Sequence, residues 1–164
     1  NIGDLITLTT RSKKKLSGLP KTKPKNILIC VTGVGAVVLF DLIGRYQELV
    51  SDQQQSNIIV RIGVNSDFGN VITNRLDELK RKNGIDIKVI LSSQNGRLVD
   101  YLNKKESNLL EECVSSEGFT VVTCGHPDMD MELMYLLESK GFNVNEDNYR
   151  SGTSNRKKRL LYTV

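Results

Sequence analysis

The segment Asn26-Ile27-Leu28-Ile29-Cys30-Val31-Thr32-Gly33-Val34-Gly35-Ala36 decides the fold. Its first half is an apolar run without alternation, the pattern of a strand covered on both faces. Thr32-Gly33-Val34-Gly35 breaks the run, and a helical pattern follows over 36–50. A strand, a glycine turn and a helix in that order open a βαβ unit.

The same alternation continues along the chain. Strands are expected over 58–63, 85–91 and 119–123, with a short last one over 142–144. Between them lie helical patterns over 70–82, where Val71, Leu76 and Leu79 share a face, over 98–110 in one or two pieces, and over 127–140. Asn83-Gly84 and Gly141 stop two of these helices, Pro127 suits the first turn of the last, and 92–96 reads as a loop. These elements predict an α/β fold: a doubly wound, five-stranded parallel sheet in the order 3-2-1-4-5, flanked by helices. In that order strands one and four are neighbours whose connections leave in opposite directions, and ligands bind at such a point, beyond the carboxyl ends of the strands. The topology therefore selects two loops, one beginning at Thr32-Gly33 and the other at Cys124-Gly125-His126-Pro127.

Composition sets the outer limits. A chain of 164 residues is long enough for one domain with a substantial core. No apolar run reaches the roughly 18 residues that span a bilayer, and no signal peptide opens the sequence. The first residue is Asn1 rather than Met, so the chain is expected to be a piece of a longer protein, with any targeting segment or membrane anchor upstream. The net charge of +4 is concentrated in Lys13, Lys14, Lys15, Lys21, Lys23 and Lys25 and in Arg156, Lys157, Lys158 and Arg159. Such runs suit a solvated linker and tail, or contact with an acidic partner or membrane surface. The absence of tryptophan and of any nucleic-acid-binding motif sets nucleic acid aside. Cys30, Cys113 and Cys124 are too few and too scattered for a disulfide framework or a zinc site, so a reducing, intracellular compartment and no bound metal are expected. Cys30 reads as a small core residue and Cys113, beside Glu111 and Glu112, as incidental, while Met129, Met131 and Met134 are spaced for helix packing.

The two selected loops differ in how much they say. Gly33 and Gly35 let backbone approach a ligand and place a helix N-terminus behind it, but they do not make the three-glycine dinucleotide fingerprint, and a tight strand-to-helix turn explains them equally well. The second loop, Cys124-Gly125-His126-Pro127-Asp128-Met129, is more specific. It resembles the Cys-Gly-x-Pro-x-Met stretch that ends the fourth strand in the ferredoxin–NADP reductase superfamily, and cytochrome b5 reductases in particular. The first loop is similar to that superfamily's Gly-Thr-Gly-Ile-Thr-Pro at Thr32, Gly33 and Val34, and departs from it at Val31, Gly35 and Ala36. Gly96-Arg97-Leu98-Val99 resembles its Gly-Arg-Val stretch, and Gly3-Asp4-Leu5-Ile6-Thr7-Leu8 the last strand of its flavin-binding barrel.

The resemblance implies a function: the NAD(P)H-binding half of a flavoprotein reductase, with FAD held mainly by an upstream barrel. Hydride passes from the nicotinamide to the flavin, and single electrons then leave to a haem protein, iron or a cytochrome. It implies Cys124 as the catalytic residue beside the hydride path, and nucleotide contacts at Thr32, Gly33, Val34, Gly35, Asn65, Ser66, Arg97, Gly125, His126, Pro127 and Met129. His126 itself is expected to be a loop residue, since hydride transfer needs no general base. No arginine follows the second strand, where NADPH-using relatives carry one, and Asp67 would repel a 2′-phosphate. NADH is therefore favoured over NADPH, unless Arg61 or Arg97 reaches across. The chain divides into a last barrel strand with basic linker over 1–25, a nucleotide-binding domain over 26–150 and a basic tail over 151–164. The superfamily includes mitochondrial members. The competing expectation is a reductase-like domain whose nucleotide site has decayed and which serves as an interaction module.

Overall fold

The computed structural model describes residues 26–33, 35–36, 39, 43, 57–65, 72–73, 76–81, 85–116 and 119–142, and the backbone of two further strands. Strands β1 (Asn26–Thr32), β2 (Asn57–Val64), β3 (Asp86–Leu91) and β4 (Phe119–Cys124) are all parallel and lie in the order β3-β2-β1-β4. Four helical segments follow β3 and β4: α1 (Ser92–Asn95), α2 (Leu98–Lys105), α3 (Ser107–Ser115) and α4 (Pro127–Ser139). Residues 35, 36, 39 and 43, and 72–73 with 76–81, are also helical. The expected barrel strand, the basic linker and the basic run at 156–159 lie outside the described residues.

The four-stranded parallel sheet has the expected order, but the rest of the sheet does not. It has six strands, because β5 (Tyr149–Ser151) and β6 (Leu160–Thr163) complete it as β3-β2-β1-β4-β6-β5. β6 runs antiparallel to β4, with Thr120 opposite Thr163, in the place expected for a fifth parallel strand. Phe142, expected to open that strand, is instead spent on closing α4. Gly141 turns the chain with φ +92°, and the Phe142 N–H donates to the Leu137 carbonyl at 3.0 Å. The Phe142 ring meets Phe119 edge-on, with 5.6 Å between centroids. The apolar run Leu160-Leu161-Tyr162 was hidden in the sequence by the four basic residues before it. Residues 92–95, expected as loop, form the short turn α1, closed by the Gly96 N–H on the Ser92 carbonyl at 3.1 Å.

Alternation along each strand sorts the core into two layers. Ile27, Ile29, Val31, Val60, Ile62, Ile87, Val122 and Cys124 face one side, against Ala36, Leu39, Ile43, Ile72 and Leu76. Leu28, Cys30, Ile90, Phe119 and Val121 face the other, against α2, α3 and α4. The helices that follow β1 and β2 therefore cover one face and those that follow β3 and β4 cover the opposite face, the doubly wound arrangement. Cys113 belongs to this second layer at 5% exposure, so it is a core residue and not incidental. Met129 is buried and Met134 packs against the same layer, but Met131 is 51% exposed and takes no part in packing. Burial pushes the Cys30 thiol up to about 12, although Arg61 draws it back, and the Cys113 thiol up to about 11. Both are neutral at ordinary pH and suit a core, not a nucleophile's place.

Among the described residues Arg61, Glu106 and Asp130 are charged and buried on the side of the second layer. Arg61, 3% exposed, donates through Nε to Glu106 Oε2 at 2.5 Å and through Nη2 to Asp86 Oδ2 at 2.8 Å. Its Nη1 reaches the carbonyls of Val60 and Asp86. Lys88 closes the network on Glu106 Oε1 at 2.9 Å and lies over the Tyr101 ring. Glu106 sits at the joint between α2 and α3, so the network ties that joint to β2 and β3. Arg61→Met keeps the length of the stem but leaves Glu106 buried with half its partners. It is expected to cost about 3–5 kcal/mol, read as a lower urea midpoint at unchanged slope. A loss below ~1 kcal/mol would show that the network contributes no more than a surface pair.

Candidate functional site

Glycines join the loops after β1 and β4. A Cβ on Gly35 would collide with the Cys124 carbonyl, with its carbon only 2.7 Å away. A Cβ on Gly125 would collide with the Thr32 hydroxyl and stand 2.9 Å from the Thr32 nitrogen. The His126 N–H then donates to Thr32 Oγ1 at 3.1 Å. The two loops thus touch backbone to backbone, and neither position has room for a side chain. Gly33 is different: its φ of +54° is the left-handed region, and nothing lies within 4 Å of where its Cβ would stand. Its N–H donates to the Gly63 carbonyl at 3.1 Å, and its own carbonyl accepts from the Ala36 N–H at 3.1 Å, which starts the helix.

A cleft of about 570 Å³ opens beyond the carboxyl ends of the parallel strands. Thr32 and Gly33 after β1, Val64 and Asn65 after β2, Gly96 and Arg97 after β3, and His126 and Met129 after β4 all line it. Gly96, like Gly33, has a positive φ (+75°) and open space where a Cβ would be. The wall opposite Gly33 is the start of α2, whose Leu98 and Val99 give the cleft an apolar floor. His126 is the N-cap of α4, and its Nδ1 accepts from the Asp128 N–H at 3.3 Å, so it is more than the loop residue expected. Arg97 Nη1 pairs with Glu132 Oε1 of the neighbouring helix at 2.7 Å, both side chains being partly exposed.

Of the residues expected at the site, the cleft brings together Thr32, Gly33, Asn65, Arg97, His126 and Met129. Gly35 and Gly125 lie behind it, holding the loops together. Pro127 is exposed at the first position of α4 and does not line the cleft. Val34, Ser66 and Asp67 lie outside the described residues. Cys124 is 6% exposed, and its side chain packs in the layer with Val31 and Ala36, on the sheet face away from α4; it does not line the cleft. Arg61 cannot reach across, because its guanidinium is enclosed with Glu106 and Asp86.

Gly63 and Glu132 are among the lining residues that the sequence reading did not name for the site. Gly63 lies one residue before the end of β2, where a Cβ would stand 2.9 Å from that of Leu98, so only glycine lets α2 approach the sheet there. A glycine ending an apolar strand is a signal for such an approach. Glu132 follows Met129 by one helical step of three and shares its face, which the spacing alone could have shown.

Among the described residues no group of three histidine, cysteine or carboxylate side chains is placed to hold a metal ion, and no helix is long and apolar enough to cross a membrane. Gly35→Ala is expected to separate the two loops or strain them, with a loss of about 1–3 kcal/mol in urea unfolding. An unchanged midpoint would mean that the contact between the loops is not needed.

No protein-family model and no curated protein matches this chain. The structure is similar to that of the cytochrome b5 reductase domain of Ulva prolifera nitrate reductase, with a TM-score of 0.53 at 14% identity. The match covers 76% of this chain and 49% of that one, so the likeness extends over about half of the larger chain. At that identity the likeness is one of fold. With its parallel sheet in the order β3-β2-β1-β4 and helices on both faces, the chain has the cytochrome b5 reductase-like α/β fold.

Proposed function

We propose that this chain is the nucleotide-binding part of an NAD(P)H-dependent flavoprotein oxidoreductase, and that the cleft beyond β1–β4 holds the dinucleotide. The observation that carries this reading is the pair of positive-φ glycines, Gly33 and Gly96, with open space on their cleft sides. A pyrophosphate fits such a place, where a helix start can approach it without a side chain intervening, although the N–H groups of Gly33 and Gly96 themselves are spent on Gly63 and Ser92. Thr32 and Gly33 would face the pyrophosphate, Leu98 and Val99 would take apolar ring surface, and Arg97 would supply the positive charge. The nucleotide supplies the hydride and FAD accepts it. FAD would be gripped by a barrel upstream of this domain, and a haem protein, cytochrome or iron would take the electrons singly.

The chain's own contribution is placement. The contact between Gly35 and the Cys124 carbonyl and that between Gly125 and Thr32 fix both loops before any ligand arrives, which is where preorganisation reduces the cost of binding. Cys124 enters this reading through that carbonyl; the place beside the hydride path that the resemblance implies for its thiol would require the side chain to leave its core layer. NADH is favoured over NADPH, since Arg61 is committed to the core and Arg97, in this reading, is taken by the pyrophosphate.

A second reading, a docking module without nucleotide, is favoured by one observation. Met131 and Tyr135 are 51% and 57% exposed, one turn apart on α4. Nucleotide titration separates the two. NADH at 100 times its dissociation constant is expected to stabilise the chain by about 2.7 kcal/mol. Gly33→Val, which fills the open space against a positive φ, and Gly33→Asn, which tolerates that φ, are both expected to weaken binding by about tenfold or more. Wild-type affinity in the folded Gly33→Asn protein, or no shift with NADH at all, would remove the nucleotide from this cleft.

A further inference from the structure

Resting on the nucleotide-site reading above, we infer that Glu132 is an affinity-setting gate: an internal anion that occupies Arg97 and must be displaced by the phosphate of an incoming dinucleotide. Arg97 and Glu132 line the same cleft from neighbouring helices, Arg97 at the start of α2 and Glu132 one turn into α4. They are the guanidinium and the carboxylate of that lining, and they bond to each other at 2.7 Å. The fixed charge of the cleft is thereby cancelled while it is empty.

The other cationic feature nearby does not offer an alternative. The start of α4 is capped by His126 and carries Asp128 and Asp130 in its first turn, so its positive end already has negative charge beside it. Arg97 is the cationic side chain that the described lining leaves for an entering pyrophosphate. The pair is solvent-accessible, with side-chain exposures of 57% and 39%, so opening it is cheap and the guanidinium can turn to a phosphate with bidentate geometry. Glu132 then stands beside that phosphate as a like charge. It lowers affinity for any ligand whose phosphate takes up Arg97.

The test is a double-mutant cycle on the chain with NADH as the probe, comparing wild type, Glu132→Gln, Arg97→Gln and the double variant. Glu132→Gln is expected to tighten NADH binding by about three- to tenfold while the urea midpoint stays unchanged. In the Arg97→Gln background the same change is expected to shift affinity by less than about twofold, because there is no guanidinium left to release. If wild type binds NADH and Glu132→Gln binds it equally or more weakly, or tightens it equally with and without Arg97, the gate is overturned and the nucleotide site stands. If none of the four proteins binds NADH, the nucleotide site and the gate are overturned together.

Discussion

The seam between β1 and β4 constrains everything that the carboxyl edge of this sheet can do. β1 and β4 pair in register from Asn26 opposite Phe119 to Val31 opposite Cys124, and beyond that point the two chains diverge to opposite faces. Divergence opens a crevice, and the crevice has a defined shape only because Gly35 rests on the Cys124 carbonyl and Gly125 on Thr32. Each contact forbids a Cβ, so the shape is written into the sequence as two glycines that no propensity argument requires. Thr32 has two duties there: its hydroxyl accepts the His126 N–H, and its methyl faces Gly63. That shared use links the loop after β4, the end of β2 and the start of α2 through one side chain.

The departures from the reductase pattern in the first loop can be understood from the same seam. Gly35 stands where the superfamily carries a threonine, and in this chain a threonine would not fit against the Cys124 carbonyl. A loop that looks degenerate as a motif is therefore coherent as packing. Its positive-φ Gly33 and its open cleft side are retained.

The parallel core was legible because its strands are apolar on both faces, and that signal depends on nothing outside each strand. Handedness rules give a doubly wound sheet, and the chosen order agrees with the observed β3-β2-β1-β4, which locates the cleft. The antiparallel edge was not legible. Phe142 looks like the start of a strand until its N–H is seen closing α4, and Leu160–Thr163 reads as tail because the charges before it dominate any window. Thr32, Gly33, Asn65, Arg97, His126 and Met129, named from loop position and motif, line the cleft. The side on which Cys124 points was not legible, since strand parity at the last residue is settled by packing: Cys124 shares parity with Val122, in the layer of Val31 and Ala36. The Arg97–Glu132 pair was invisible because its members are 35 positions apart and meet only when α2 and α4 lie side by side.

Charge is handled differently at the two ends of the sheet. Toward the amino ends of β2 and β3, Arg61 is enclosed with Glu106 and Asp86 and serves the fold. At the carboxyl end, Arg97 is paired but wet, and so remains available to a ligand. The measurement that tests this division most directly is an amide NMR titration of the ¹⁵N-labelled chain with NADH. The account expects shifts concentrated at Gly33, Asn65, Gly96, Arg97, His126 and Met129, with the amides of Asn26, Asn57 and Ser116, which line a second cleft at the opposite edge, unmoved. Shifts confined to that opposite edge, or spread without preference over both, would contradict it.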